Sequence, residues 1–151
     1  MPLPNPPDTM DFLLAQICHL HHTRAHQLFE ALGLYRGQPP VLGALWEQEG
    51  MTQTDLAALL KNTPATTTKM LQRMEKTGFI QRKPDPDDQR ISRVYLTEAG
   101  RSVQAEVEKI WKTMEAETFA GFSPEERILL RRFLLQISHN LLKVTGEEPW
   151  K

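Results

Sequence analysis

Leu13, Ile17, Leu20, Arg24, Leu28 and Ala31 recur at helical spacing, and Gly33 follows as a stop signal, so the pattern predicts one long first helix. The next segment, "QPPVLGALWEQEG", opens with prolines suited to a first helical turn and ends at Gly50. Val41, Leu42, Leu45 and Trp46 mark its apolar side. In "MTQTDLAALLK", Thr52 is placed to cap a short third helix, with Asp55 three residues on in an arrangement close to a capping box. That helix ends near Asn62, and "TPATTTKMLQRMEKTG" begins at once, with Thr63 as N-cap, Pro64 at the first helical position and Gly78 as the stop. Two helices joined by so tight a turn form a helix-turn-helix.

After Gly78 the period changes. "FIQRK" reads as a short strand, and "ISRVYL" alternates, with Ser92, Val94 and Leu96 on one face and Ile91, Arg93 and Tyr95 on the other. The pair makes a hairpin whose tip, residues 84–90, is stiffened by Pro84 and Pro86 and forms a wing. Thr97 then caps a helix with a stripe at Val103, Val107, Ile110 and Met114. "SPEE" at 123–126 is a capping box with proline in the first turn, and Ile128, Leu129, Phe133, Ile137 and Leu141 follow. These last stripes are longer than so small a domain can bury, so they are expected to pack against the first helix and a second subunit. The fold class is mainly α with a small β-hairpin wing: a winged helix-turn-helix domain at 38–97 plus a helical dimerisation region at 10–33 and 98–143. Residues 1–9 are read as a flexible lead and 144–151 as a tail.

Composition adds bounds rather than a fold. A chain of 151 residues, 40% apolar and 25% charged, has ordinary globular make-up. The lone Cys18 excludes an intrachain disulfide, and no Cys/His run has zinc-finger spacing. "MPLPNPPDTM" lacks a basic region followed by an apolar stretch, and no apolar run reaches membrane-spanning length, so a cytoplasmic protein with no membrane association is expected. The net charge of −1 is unevenly spread. Residues 1–60 hold two Lys/Arg against six Asp/Glu, residues 61–93 eight against four, and residues 94–151 eight against nine. A polyanion can therefore be met locally in the middle third.

The helix at 64–77 sits in that basic third. Thr67, Met70, Leu71 and Met74 face a core, leaving Ala65, Thr66, Thr68, Lys69, Gln72, Arg73 and Lys76 outward, with Glu75 the lone acid. Small hydroxyls permit close approach to a duplex and Lys/Arg neutralise phosphates, as a recognition helix in a major groove requires. An ordinary amphipathic helix with a solvated face has the same letters, so on these residues alone both readings stand.

The segment "DQRISRVYLT", Asp88 to Thr97, resembles the wing signature of the MarR family of bacterial transcriptional regulators: Asp-x-Arg followed by a Val-x-Leu-Thr run. "LGALWEQEGMTQTDLAALL" and "LQRMEKTGFIQRKPDPDD" are similar to that family's second to fourth helices and first wing strand, and the plan extends over residues 10–143. The resemblance implies a homodimer bound to a pseudo-palindromic double-stranded DNA operator, a repressor rather than an enzyme, with no required cofactor. By the same resemblance Arg90 enters a minor groove, with Asp88 holding its guanidinium. Asp85 and Asp87 are expected on the solvent side. Thr66, Thr68, Lys69, Gln72 and Arg73 meet the major groove or its bordering phosphates, and Thr52 and Gln53 meet the backbone at a helix N-terminus. Lys61 and Asn62 depart from the small-then-apolar pair that is usual in the family, so the turn between the two helices is expected to differ.

The family further implies a small aromatic or phenolic effector in a crevice between the dimerisation helices and the winged domain. Leu20, Arg24, Leu28, Val41, Leu45 and Trp46 are candidates for its lining, although each is equally a core position. "CHLHHTRAH" sets Cys18, His22 and His26 four apart on one helical face, a possible row of soft ligands. No carboxylate completes a set, so no metal is expected. One branch of the family senses peroxide through a cysteine near the start of the first helix, but Cys18 lies about two turns later by alignment on the "LWE" of the second helix, and a buried, inert thiol is expected. A protein-binding winged helix and a metal-dependent sensor or enzyme are the alternatives. The chain shows no nucleophile with a base, no paired catalytic carboxylates and no phosphate loop to support the latter.

Overall fold

The computed structural model describes residues 7–149. Most of the lead at 1–9 and the last two residues of the tail lie outside the described residues. The order is α1 (Met10–Glu30), α2 (Gln38–Glu47), β1 (Met51–Thr52), α3 (Gln53–Leu59), α4 (Pro64–Lys76), β2 (Ile80–Pro84), β3 (Ser92–Leu96), α5 (Glu98–Ser102), α6 (Gln104–Thr118) and α7 (Pro124–Thr145). The chain divides into two compact units, one up to Met114 and one from Glu115. The helix at 104–118 spans the division.

In the first unit the helix starts follow local chemistry. Thr9, Thr52, Thr63 and Thr97 each accept a hydrogen bond from a backbone N–H three residues on, which satisfies one of the orphan donors of a first turn. The turn between α3 and α4 runs through Lys61 at φ +52°, the one non-glycine residue with positive φ among the described residues. Glycine adopts that left-handed conformation freely, whereas a residue with a Cβ meets strain there. The departure at Lys61 therefore falls on the turn residue held in the left-handed conformation.

The core joins Leu34, Val41, Leu42 and Leu45 around α2 to Leu56, Leu71 and Met74 of the helix-turn-helix. Ile80, Val94 and Leu96 of the strands and Val107, Ile110 and Met114 of α6 close it. Two features depart from the predicted plan. The hairpin gains a third antiparallel strand, in the order β1-β3-β2, where Met51 pairs with Val94 and Thr52 with Arg93. A strand of two residues is too short to leave an alternating pattern. The helix begun at Thr97 is broken at Val103 into α5 and α6.

Gly100, in α5, is pressed against the start of the wing. A Cβ there would stand 2.1 Å from the carbonyl oxygen of Phe79, which is backbone and cannot rotate away. Its own carbonyl accepts a hydrogen bond from Trp46 Nε1 at 2.9 Å, tying α2 to the same spot. Gly100→Ala is expected to cost about 2–3 kcal/mol through overpacking, or roughly 5–10 °C in thermal midpoint. An unchanged midpoint by circular dichroism would show that the contact is soft.

In the second unit, α7 opens on a complete capping box. The Ser123 hydroxyl accepts from the Glu126 N–H while the Glu126 carboxylate accepts from the Ser123 N–H, and Pro124 occupies the first helical position. Arg127 donates to the Phe119 carbonyl at 2.9 Å and meets Glu115 at 3.5 Å. None of the residues of α7 is buried. Among the described residues, no helix is long and apolar enough to cross a membrane.

Candidate nucleic-acid interface

The α4 helix buries Thr67, Leu71 and Met74 and leaves Thr66, Lys69, Gln72, Arg73 and Lys76 exposed, as its pattern predicts. Its flank toward α3 is different. Thr68 is half-buried, and its hydroxyl accepts a hydrogen bond from Gln53 Nε2 at 3.1 Å. Gln53 Oε1 in turn accepts from Arg82 Nη1 at 3.3 Å. Arg82 grips Glu75 through Nε and Nη2, each at 3.3 Å, and through its backbone N–H at 3.0 Å.

This strap links α4, α3 and β2, so Gln53 and Thr68 are held by one another rather than standing out as independent arms. The hydrogen bond from Arg82 holds the Glu75 carboxyl below the usual carboxylate range. Arg82 thereby offsets the lone acid of α4, and the face beyond it presents neutral donors and cations. Thr52 directs its hydroxyl to the Asp55 N–H at 3.0 Å as the cap of α3.

The wing is organised from within by a residue that was expected outside. Asp85 is only 7% exposed. One of its carboxylate oxygens accepts the N–H groups of Asp87 and Asp88, at 2.8 and 3.1 Å, and the other accepts from Arg93 Nε. Arg93 also donates to the Gly50 carbonyl at 2.9 Å, fastening the wing to the turn before β1. The hydrogen bond from Arg93, followed by those from the loop N–H groups, lowers the Asp85 pKa. Asp87 lies on the exposed side, as expected.

Asp88 and Arg90 form a bidentate pair. Arg90 Nε and Nη2 reach the two carboxylate oxygens of Asp88 at 3.0 Å each, and the Arg90 N–H reaches one of them at 3.1 Å. The Arg90 side chain is nonetheless 90% exposed. A guanidinium gripped along one edge and otherwise open keeps donors free for a second anion.

The proposed effector lining does not assemble. Val41 and Leu45 are fully buried core residues, Trp46 is committed to Gly100, Leu28 packs on the core and Leu20 is 58% exposed. Arg24 reaches Gln27 at 3.4 Å. The apolar stripe of α2 was core, the ordinary fate of such a stripe. A crevice of about 160 Å³ does lie nearby, but His22, Ala25, His26, Phe29, Tyr35 and Trp111 line it with the α1–α2 turn. Phe29 and Trp111 meet edge to face there, with ring centroids 5.2 Å apart.

Among the described residues no group of three potential ligands surrounds a metal position. His26 faces Glu30 at 3.9 Å. Cys18 is exposed rather than buried as expected, and Phe29 is the one buried residue of α1.

Comparison with known proteins places this architecture. The MarR family model matches residues 34–92, from within the α1–α2 turn to the first residue of β3. The transcriptional regulator HosA of Escherichia coli O111:H- is 31% identical over 122 residues, covering 80% of this chain and 88% of HosA. A crystal structure of MarR superimposes with a TM-score of 0.73 at 25% identity, covering 98% of this chain and 99% of that one. The S. aureus MepR–DNA complex does so with a TM-score of 0.72 at 28% identity, covering 87% and 98%. With its helix-turn-helix, three-stranded sheet and Asp88–Arg90 wing pair, the chain belongs to the MarR family of DNA-binding transcriptional regulators.

Proposed function

We propose that the protein is a homodimeric repressor that sets α4 in the major groove of each half of a pseudo-palindromic operator and Arg90 in the flanking minor groove. The observation that carries this reading is the exposed Arg90, aligned by Asp88 on a wing that Asp85 holds from within. Thr66, Lys69, Gln72 and Arg73 meet base edges and phosphates, Gln53 and Thr68 hold α4 in position, and Thr52 borders the backbone. Two such surfaces related by a two-fold axis suit half-sites roughly 34–36 Å apart.

A small aromatic or phenolic ligand lowers the affinity. In place of the sequence-derived lining, the crevice beside Trp111 and Phe29 is the supported site, since its volume of about 160 Å³ suits a single ring. Cavities of ~150 Å³ take up benzene. Ligand binding must favour one spacing of the two recognition helices to change DNA affinity.

Fluorescence anisotropy with a labelled duplex tests both parts. Affinity is expected to fall on the order of 10³-fold or more between 50 and 200 mM salt, as release of counterions from six or more phosphates requires. Millimolar benzoate is expected to weaken binding further at fixed salt. Salt-insensitive association would favour the protein-binding alternative, and indifference to benzoate would remove the support for a small aromatic effector.

A further inference from the structure

The two flanks of α4 are chemically unlike. At 100° per residue, Ala65, Lys69, Gln72 and Lys76 point outward, Thr68 and Glu75 lie on the flank bound by the Gln53–Arg82 strap, and Thr66 and Arg73 lie on the opposite flank. That second flank walls a groove of about 570 Å³ whose other side is the α1–α2 turn. Arg36, from the turn, lines it together with Lys69, Arg73 and His26, and no Asp or Glu is in the lining. Glu30 stands 3.9 Å from His26 Nε2.

Arg36 and its groove neighbour Arg73 differ from the arginines of β2, β3, the wing and α5 in having no carboxylate partner among the described residues. Arg82 is committed to Glu75, Arg93 to Asp85, Arg101 to Glu49 and Arg90 to Asp88. The exposed Arg36 guanidinium has no hydrogen bond or ion pair among the described residues. An unpaired cation beside an acid-free basic groove is open to an anion from outside. An α-helix with its side chains is about 10–12 Å across and the major groove about 12 Å wide, so a helix seated there brings both flanks close to phosphate walls.

We propose that Arg36 neutralises a backbone phosphate on the α1–α2 flank of α4, so that the duplex interface extends past the helix-turn-helix and wing onto that turn. Charge complementarity and continuity with α4 carry the proposal, which rests on α4 occupying the major groove. A phosphate contact of this kind positions the protein without reading sequence, so its loss weakens operator and unrelated duplex alike.

The test is a salt titration of duplex binding by the full-length dimer, comparing Arg36→Gln and Arg36→Lys with Arg73→Gln on α4 and Arg131→Gln on the second unit. Each lost phosphate contact lowers the slope of log K against log salt by ~0.9, or about 1.8 for two subunits. Arg36→Gln is expected to show that drop, with equal fold-losses on operator and random duplex and an unchanged thermal midpoint. Arg36→Lys is expected to keep the wild-type slope, as is Arg131→Gln, which makes the same charge change elsewhere. An unchanged slope for Arg36→Gln overturns the proposal, and a simultaneous drop for Arg73→Gln then leaves the α4 reading standing. Unchanged slopes for both Arg36→Gln and Arg73→Gln overturn the α4 reading as well. Equal drops for Arg36→Gln and Arg131→Gln overturn the proposal in favour of a general effect of net charge.

Discussion

Arg90→Ala is expected to abolish tight operator binding while leaving fold and subunit association intact. The side chain is 90% exposed and its partner is a loop carboxylate, so its removal opens no cavity. An exposed pair of this kind contributes little to stability, within about 1 kcal/mol. Its proposed contribution to binding is much larger. A narrow minor groove concentrates negative potential on an inserted guanidinium, and loss of a specific contact costs about 1–3 kcal/mol. Two wings double this to about 2–6 kcal/mol, roughly a 30- to 10⁴-fold loss of affinity.

The loop is suited to present Arg90 because its shape does not depend on DNA: Asp85 gathers two N–H groups and Arg93 before any ligand arrives. Pre-ordering of this kind removes an entropic cost that binding would otherwise carry. Gel-shift titration of the purified variant measures the loss, and light scattering checks the dimer. Wild-type affinity would remove the wing from the interface.

The parts of this architecture that were legible in the sequence are those written in local chemistry. Threonine caps, prolines at first helical positions and glycine stops act within a few residues, and the predicted helices appear where those signals stand. The Asp88–Arg90 pair was legible for a similar reason, being local and part of a short signature.

What escaped depends on contacts between distant residues. Three aspartates in "PDPDD" are equivalent by composition, and only the return of Arg93 along β3 selects Asp85 for burial. Alternation put Arg93 on the face opposite Val94 and Leu96, but it says nothing of a carboxylate waiting there. Gln53 and Arg82 are 29 residues apart, and their hydrogen bond makes a residue expected at the DNA backbone part of a brace for α4 as well. The effector lining failed because an apolar stripe on α2 does not distinguish a cavity wall from a packed core. The crevice instead needed Trp111, which the stripe of α6 had left outside.

Truncation after Gly121, which removes α7, is expected to yield monomer or aggregate. A two-fold association requires apolar surface that the single chain leaves uncovered, and α7 is rich in it. Across 22 residues, roughly 33 Å of helix, it has no buried residue, and Ile128 and Val144 are 74% and 78% exposed. Phe133, Leu134, Leu135 and Leu141 are exposed as well. A capping box fixes where such a helix starts but adds only about 1 kcal/mol, and most helical stability in proteins comes from packing an apolar face.

In α1, Met10, Leu13, Ile17 and Leu20 are likewise exposed, so each unit by itself offers apolar surface to a second copy. Each Leu, Ile or Phe fully buried there contributes about 1.5–3 kcal/mol, and two-fold symmetry counts every contact twice. Loss of α7 removes most of that gain and leaves the α1 stripe exposed, which accounts for aggregation as the alternative to monomer. The buried core of the winged unit ends at Met114, so a truncated chain keeps all of it. Light scattering of the truncated protein, with far-ultraviolet circular dichroism to confirm retained helix, separates lost association from lost folding. A stable truncated dimer would place the interface elsewhere and return the exposed face of α7 to unexplained surface.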